Sequence, residues 1–158
     1  RDLGAPLSPF NAFQLIQGLE TLHLRFCKHQ ENATKLANYL IEQKEIESVI
    51  YPGLFTGTGK ILVDKYLTSG HGALVGIQLK GGVDAGRQFI DRLKLIYHVA
   101  NIGDARTLAI HPASTTHSQL TVVEQLKAGV TPGYVRLSVG IEHIDDIIAD
   151  IDQALSNL

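Results

Sequence analysis

Between residues 134 and 141 the chain alternates without a break. Val135, Leu137, Val139 and Ile141 fall on one side; Tyr134, Arg136, Ser138 and Gly140 fall on the other. Successive side chains of a strand point to opposite faces, so this segment is a strand with one apolar and one polar face. Directly after it, Ile144, Ile147, Ile148, Ile151 and Leu155 recur at helical spacing over residues 143–155. Glu142, Asp145 and Asp146 sit near the start of that helix, where its dipole favours acids. An apolar strand face followed by an apolar helix stripe calls for a layered α/β domain in which the two bury each other. The polar strand face, with Arg136 at its centre, then needs water or a partner.

The rest of the chain supplies the other layers. Residues 1–7 read as a loop, and Ser8-Pro9 starts a helix, with Ser as N-cap and Pro at the first helical position. That helix runs to about residue 19, with a break near residues 18–21 where Gly18 weakens it. A stronger helix covers residues 23–43, with Ala33, Leu36, Tyr39 and Leu40 inside and Lys28, Glu31 and Lys35 outside. Residues 46–51 read as a strand stopped by Pro52-Gly53, residues 53–60 as a Gly/Thr-rich loop, and residues 60–67 as a short helix ending at Gly70 and Gly72. Residues 73–80 form a strand with Val75, Ile77 and Leu79 on one face, ended by Gly81-Gly82. Asp84 can cap a helix whose apolar positions are Ala85, Phe89, Ile90 and Leu93, and residues 95–102 and 108–110 are β-prone. The expected fold is therefore α/β: a long kinked helical lead-in over residues 8–43, then a small, mainly antiparallel sheet of roughly three to five strands with helices on one face.

Composition narrows the function classes. A chain of 158 residues with 44% apolar and 19% charged residues is globular. A net charge of −2 without a basic block argues against a nucleic-acid partner. No apolar run reaches membrane-spanning length and no signal peptide opens the chain, so no membrane partner is expected; the single cysteine, Cys27, fits a cytoplasmic setting. Cys27 is the one cysteine, which excludes an intrachain disulfide and a Cys-based zinc site. The chain begins at Arg1 and has no Met, and it reads as an excised piece of a longer polypeptide.

Arg136 is the leading candidate for chemistry. Its guanidinium is a rigid fork that binds a carboxylate at two points and stays charged when dehydrated. The competing reading is an exposed Arg on a wet sheet face, which antiparallel sheets often have. His111-Pro112-Ala113-Ser114-Thr115-Thr116-His117-Ser118 is dense in polar groups. A metal site on His111 and His117 lacks a third ligand, and a Ser114/His117 dyad lacks the strand–turn–helix frame of a nucleophile elbow. A structured loop whose hydroxyls bind backbone groups is favoured. His23, His29, His71, His98 and His143 are scattered and read as structural or surface residues. Gly57-Thr58-Gly59-Lys60 is not a phosphate loop, because the first glycine and the final Ser/Thr are missing. The backbone N–H groups of Asn101-Ile102-Gly103-Asp104 face a ligand or close a turn. Lys35 follows Thr34 but sits on the polar side of its helix, whereas a Schiff-base lysine must be partly desolvated.

Several segments together resemble the Cys/Met-metabolism enzymes that depend on pyridoxal phosphate (PLP). They are Gly4-Ala5-Pro6-Leu7-Ser8-Pro9-Phe10-Asn11-Ala12-Phe13, then Gly18-Leu19-Glu20-Thr21-Leu22 with Arg25, and Tyr51-Pro52-Gly53-Leu54. They continue with Asn101-Ile102-Gly103-Asp104-Ala105-Arg106-Thr107-Leu108, the run from His111 to His117, and Val135-Arg136-Leu137-Ser138-Val139-Gly140-Ile141-Glu142. All occur in family order across nearly the whole chain. Asn101, and Thr116 within Ser114-Thr115-Thr116-His117, make the likeness greatest to the O-acetylhomoserine sulfhydrylase branch.

The resemblance implies the C-terminal small domain of a fold-type-I PLP subunit. Residues 1–22 would end the large PLP-binding domain, and residues 23–158 would be the connecting helix and small domain. PLP would be held by a lysine of the missing large domain, so this segment is expected to be inactive alone and not to bind PLP covalently. Arg136 would grip the α-carboxylate of a small amino-acid substrate, helped by the backbone around Asn101 and Ile102. A homo-oligomeric parent is implied. In the segment alone, apolar side chains around residues 10–22 would lose the large domain that covers them, and self-association through the N-terminal helix is expected. The alternatives are a cystathionine γ-synthase-like or methionine γ-lyase-like member of the same family, a stand-alone carboxylate-binding or regulatory module, and a domain kept for oligomer contacts.

Overall fold

The computed structural model describes residues 3–156 and Leu158. Two helices lead in. α1 spans Pro9–Glu20, and Ser8 caps it by accepting the Asn11 N–H at 3.2 Å, with Pro9 in the first turn. The chain turns at Thr21 and α2 follows over Leu22–Leu40. The break therefore falls at the end of the expected interval, and Gly18 stays helical. α2 stops before residue 43, because the Glu42 and Gln43 N–H groups reach back only three residues, to Tyr39 and Leu40, and tighten the last turn.

The sheet is built from β1 (Ile46–Ile50), β2 (Leu74–Leu79), β3 (Tyr97–His98), β4 (Leu108–Ile110) and β5 (Tyr134–Ser138), in the order β1-β2-β5-β4-β3. Every pairing is antiparallel except β3 with β4. Four helices complete the chain: α3 (Gly57–Tyr66), α4 (Gly82–Arg92), α5 (Val122–Lys127) and α6 (Ile144–Leu155). α2, α4 and α6 share one core with a single sheet face. Val75, Ile77, Val135 and Leu137 are fully buried there with Leu36, Phe89, Ile147 and Ile151. Burying side chains of this size contributes about 1.5–3 kcal/mol each. The α/β layering, the antiparallel sheet and the one-sided helix cover thus follow the periodicity of the sequence.

The departures have local causes. β5 ends at Ser138, short of residue 141, because the following N–H groups leave the ladder. The Val139 N–H goes to the Ala73 carbonyl, that of Gly140 to Thr107 Oγ1, and that of Ile141 to the Ala105 carbonyl. Val139 nevertheless stays buried in the core. The 53–60 interval is not all loop: after a 3-10 turn at Pro52–Leu54, α3 starts at Gly57, with Gly59 lying against Phe55. Asp84 stands in the first turn of α4, and the cap is Gly81 at φ 91, a left-handed conformation suited to glycine. Of residues 95–102 only Tyr97–His98 pairs as strand. α5 carries a capping box, Thr121 with Glu124, that pattern reading passed over.

α1 has no buried residue; Phe10, Phe13, Leu15, Ile16 and Leu19 are each more than half exposed. Among the described residues no helix is long and apolar enough to cross a membrane.

Candidate functional site

The polar face of β5 carries the candidate site. Arg136 pairs across the sheet with Gly76 on β2 and Ile110 on β4. Tyr134, two residues earlier on the same face, lays its ring over Gly76: a Cβ there would come within 2.7 Å of it. Burial pushes the Tyr134 phenol above its ordinary pKa, and the Arg136 charge opposes that shift. Gly76 therefore leaves room for the Tyr134 ring.

Arg136 is half-buried. Its Nη2 donates to the carbonyls of Ala100 at 3.0 Å and Asn101 at 3.2 Å, while Nε is buried without a hydrogen-bond partner. The guanidinium is thus neither freely solvated nor satisfied. An unpaired buried donor costs about 1–3 kcal/mol, and an incoming acceptor would recover part of that. Of the backbone groups expected beside it, Asn101 takes part through its carbonyl, and Ala100 was not foreseen. Ile102 makes no hydrogen bond to Arg136. It is 58% exposed and borders a mostly apolar cavity of about 200 Å³, together with Leu22, Phe26, Leu74 and Ser138. The Gly103 N–H does not face open space; it donates to Ser138 Oγ at 3.1 Å. The Ala100 carbonyl left no trace in the sequence pattern, because its role depends on where the loop after β3 passes.

The polar run after β4 is a structured loop. His111 is fully buried, with Nδ1 against Ser114 Oγ at 2.8 Å and Nε2 against the Pro132 carbonyl at 2.8 Å. Thr115 Oγ1 donates to the His111 carbonyl, and Ser118 Oγ to that of Thr115. Gly86 of α4 leaves room for the imidazole, since a Cβ there would lie 2.4 Å from Nε2.

Burial is the main reason that the His111 pKa falls below the ordinary 6.5; the hydrogen bond to the Pro132 carbonyl opposes the shift, and the Arg87 and His98 charges add to it. The unfolded chain then takes up a proton that the folded one refuses. His111 thus costs stability as the pH falls through about 6.5, and the loss levels off below its folded pKa. Stability measured in urea from about pH 7 to about pH 5 is expected to decline, with a shallower decline in His111→Gln. Equal slopes for the two proteins would remove His111 from that account.

His29, read as structural, is buried on α2 and bonds the Val139 carbonyl at 2.6 Å, and Asn32 one turn on donates to the carbonyls of Gly140 and Glu142. His143 caps α6. Lys35 is exposed and paired with Glu31 at 2.6 Å. Among the described residues no group of three or more His, Cys, Asp or Glu could hold a metal ion.

Residues 1–156 match the family described as Cys/Met metabolism PLP-dependent enzyme. An O-acetyl-L-homoserine sulfhydrylase of Leptospira meyeri is 56% identical, over 100% of this chain and 36% of its own length. An L-methionine gamma-lyase of Pseudomonas putida is 45% identical, over 96% of this chain and 38% of its own. A crystal structure from Campylobacter jejuni, assigned as an O-acetylhomoserine (thiol)-lyase, superposes with a TM-score of 0.87 at 45% identity, over 99% of this chain and 37% of that one. That structure contains N'-pyridoxyl-lysine-5'-monophosphate. The chain thus spans little more than a third of the length of these relatives.

Proposed function

The chain belongs to the Cys/Met metabolism PLP-dependent enzymes, and on that premise we propose that it is the C-terminal part of an O-acetylhomoserine sulfhydrylase, in which Arg136 grips the α-carboxylate of the substrate. The observation that carries this reading is the state of the guanidinium. Two carbonyls hold Nη2, and Nε lies buried and unpartnered. A carboxylate is the acceptor whose planar geometry matches such a fork. Held at both oxygens, the amino acid has its amine and Cα–H fixed in direction, which is the positional part of catalysis. The backbone of Asn101 supports the arginine in this reading, and Ile102 lines the mostly apolar cavity bordered by Leu22, Phe26 and Ser138.

The described residues do not fit the covalent hold of PLP. None of the lysines is buried, and Lys35 is tied to Glu31 at the surface. A Schiff-base lysine needs desolvation to act as a nucleophile near neutral pH. We therefore place the cofactor in a large domain outside this segment, of which residues 1–22 are the end; residues 23–158 are the connecting helix and small domain. The exposed apolar residues of α1 suit a helix covered in the whole polypeptide, which we read as a cytoplasmic homo-oligomer. The proposed reaction is O-acetyl-L-homoserine with sulfide or a thiol, giving homocysteine or methionine and acetate.

The test uses the full-length polypeptide with PLP, O-acetylhomoserine and sulfide, and the expected product is homocysteine. Breakdown of methionine without homocysteine formation would favour the γ-lyase reading instead. The segment alone, incubated with PLP, reduced with borohydride and mapped by peptide, is expected to show sparse labelling spread over several exposed lysines. Stoichiometric labelling of one lysine would overturn the assignment of the cofactor to another part of the polypeptide.

A further inference from the structure

Residues 100–107 carry the carbonyls that hold Arg136, yet no strand pairing fixes residues 100–106, and Asn101, Ile102, Gly103, Ala105 and Arg106 are exposed. The bonds that fasten this loop run to β5 and the residues just past it. The Gly103 N–H donates to Ser138 Oγ at 3.1 Å, and the Ala105 carbonyl accepts the Ile141 N–H at 2.8 Å. The third fastening is the densest. The Glu142 carboxylate accepts the Thr107 N–H at 2.6 Å and the Thr107 hydroxyl at 2.8 Å, and the same hydroxyl oxygen accepts the Gly140 N–H at 2.8 Å. Thr107 is fully buried. A Cβ on Gly140 would come within 2.3 Å of Glu142 Oε2, 2.4 Å of the Thr107 nitrogen and 2.5 Å of the Ala105 oxygen, so the close approach requires glycine. On the other side, Asn32 of α2 holds the carbonyls of Gly140 and Glu142.

We infer that Thr107 and Glu142 are positioning residues for the Arg136 carboxylate site: they lock the loop whose Ala100 and Asn101 carbonyls set the direction of the guanidinium. The inference rests on the reading of Arg136 as the substrate-carboxylate grip. Both residues stand on the far end of the loop from Arg136, and neither bonds it. Their effect passes through the backbone, from Thr107 back along Ala105 and Gly103 to Asn101. A loop freed at Thr107 leaves Arg136 in place on its strand but lets its two acceptors drift.

Thr107→Val keeps the shape and removes the hydroxyl; Thr107→Ser keeps the hydroxyl. In the full-length polypeptide, Thr107→Val is expected to raise the KM for O-acetylhomoserine about tenfold, because small misplacements of positioning groups are costly. KM for sulfide and PLP content stay unchanged, and Thr107→Ser recovers most of the loss. Amide hydrogen exchange over residues 100–107 is expected to quicken in the Val variant and not elsewhere. Arg136→Ala is measured beside it. If Arg136→Ala raises the amino-acid KM and Thr107→Val does not, the positioning role is overturned and the grip stands. If Arg136→Ala leaves that KM unchanged, the grip itself falls, and this inference with it. A Val variant that loses PLP and both substrates together would show a general structural role and would also overturn the inference. Should that variant fail to fold, Glu142→Gln, which keeps the acceptor for the Thr107 N–H, decides by the same split, with a rise of about threefold expected.

Discussion

In the full-length polypeptide, Arg136→Ala lowers kcat/KM for the amino-acid substrate by about 2–5 kcal/mol, or roughly 30-fold to 4,000-fold, the range for truncating one partner of a hydrogen-bonded charge pair. The size of the effect follows from what is left behind. Without the guanidinium, the carbonyls of Ala100 and Asn101 lose their donor, and in the proposed role they would repel an incoming carboxylate. PLP content is expected to stay constant, because the proposed role of Arg136 is to hold the substrate and not the cofactor. KM for sulfide changes little, since sulfide has no carboxylate. Arg136→Lys is expected to recover only part of the loss, because an ammonium offers a point charge and not a planar fork. The measurement is steady-state kinetics of both substrates with cofactor stoichiometry for the three proteins. Unchanged amino-acid kinetics in the Ala variant would return Arg136 to the role of a strand residue on a wet face.

The second large effect concerns the fold. Asp150 lies on α6 between Ile147 and Ile151 and is buried. Its carboxylate accepts the N–H groups of Lys94, Leu95 and Ile96 at 2.9–3.2 Å, where the chain leaves α4 for β3. Gln153 donates to the same carboxylate. Asp150→Ala removes one acceptor from three backbone donors. Water can reach Lys94 and Leu95, which are exposed, but the buried Ile96 has no such relief. A loss of about 2–4 kcal/mol in urea unfolding is expected, most of it the cost of unpaired donors. Asp150→Asn, which keeps an acceptor oxygen, is expected to lose about half as much. If Asp150→Ala unfolds at the same urea concentration as the parent, the carboxylate is not the staple that joins α6 to the start of β3.

Asp150 also shows where pattern reading ends. Ile144, Ile147, Ile148, Ile151 and Leu155 were legible because a helix repeats its faces locally, and their burial followed. A lone acid near that stripe reads as a solvated residue. What makes it structural lies 54 to 56 positions away in the chain, on a turn that only the packing of α4 against α6 brings near. The Thr107–Glu142 bond spans 35 positions and was equally silent, although the capping box at Thr121 and Glu124 was local and could have been read.

The alternation over residues 134–141 by itself determined that Arg136 stands on the face opposite Val135 and Leu137, and the ordered motifs by themselves pointed to the family. Both are properties of neighbouring residues and of their order, so no coordinates were needed. Tertiary structure alone decided what Arg136 touches. The parallel pairing of β3 with β4 steers the following loop over β5, and there the carbonyls of Ala100 and Asn101, not Ile102, meet the guanidinium. A backbone carbonyl is the same group at every residue, so the sequence carries no mark of which one will be chosen; only the path of the chain selects it.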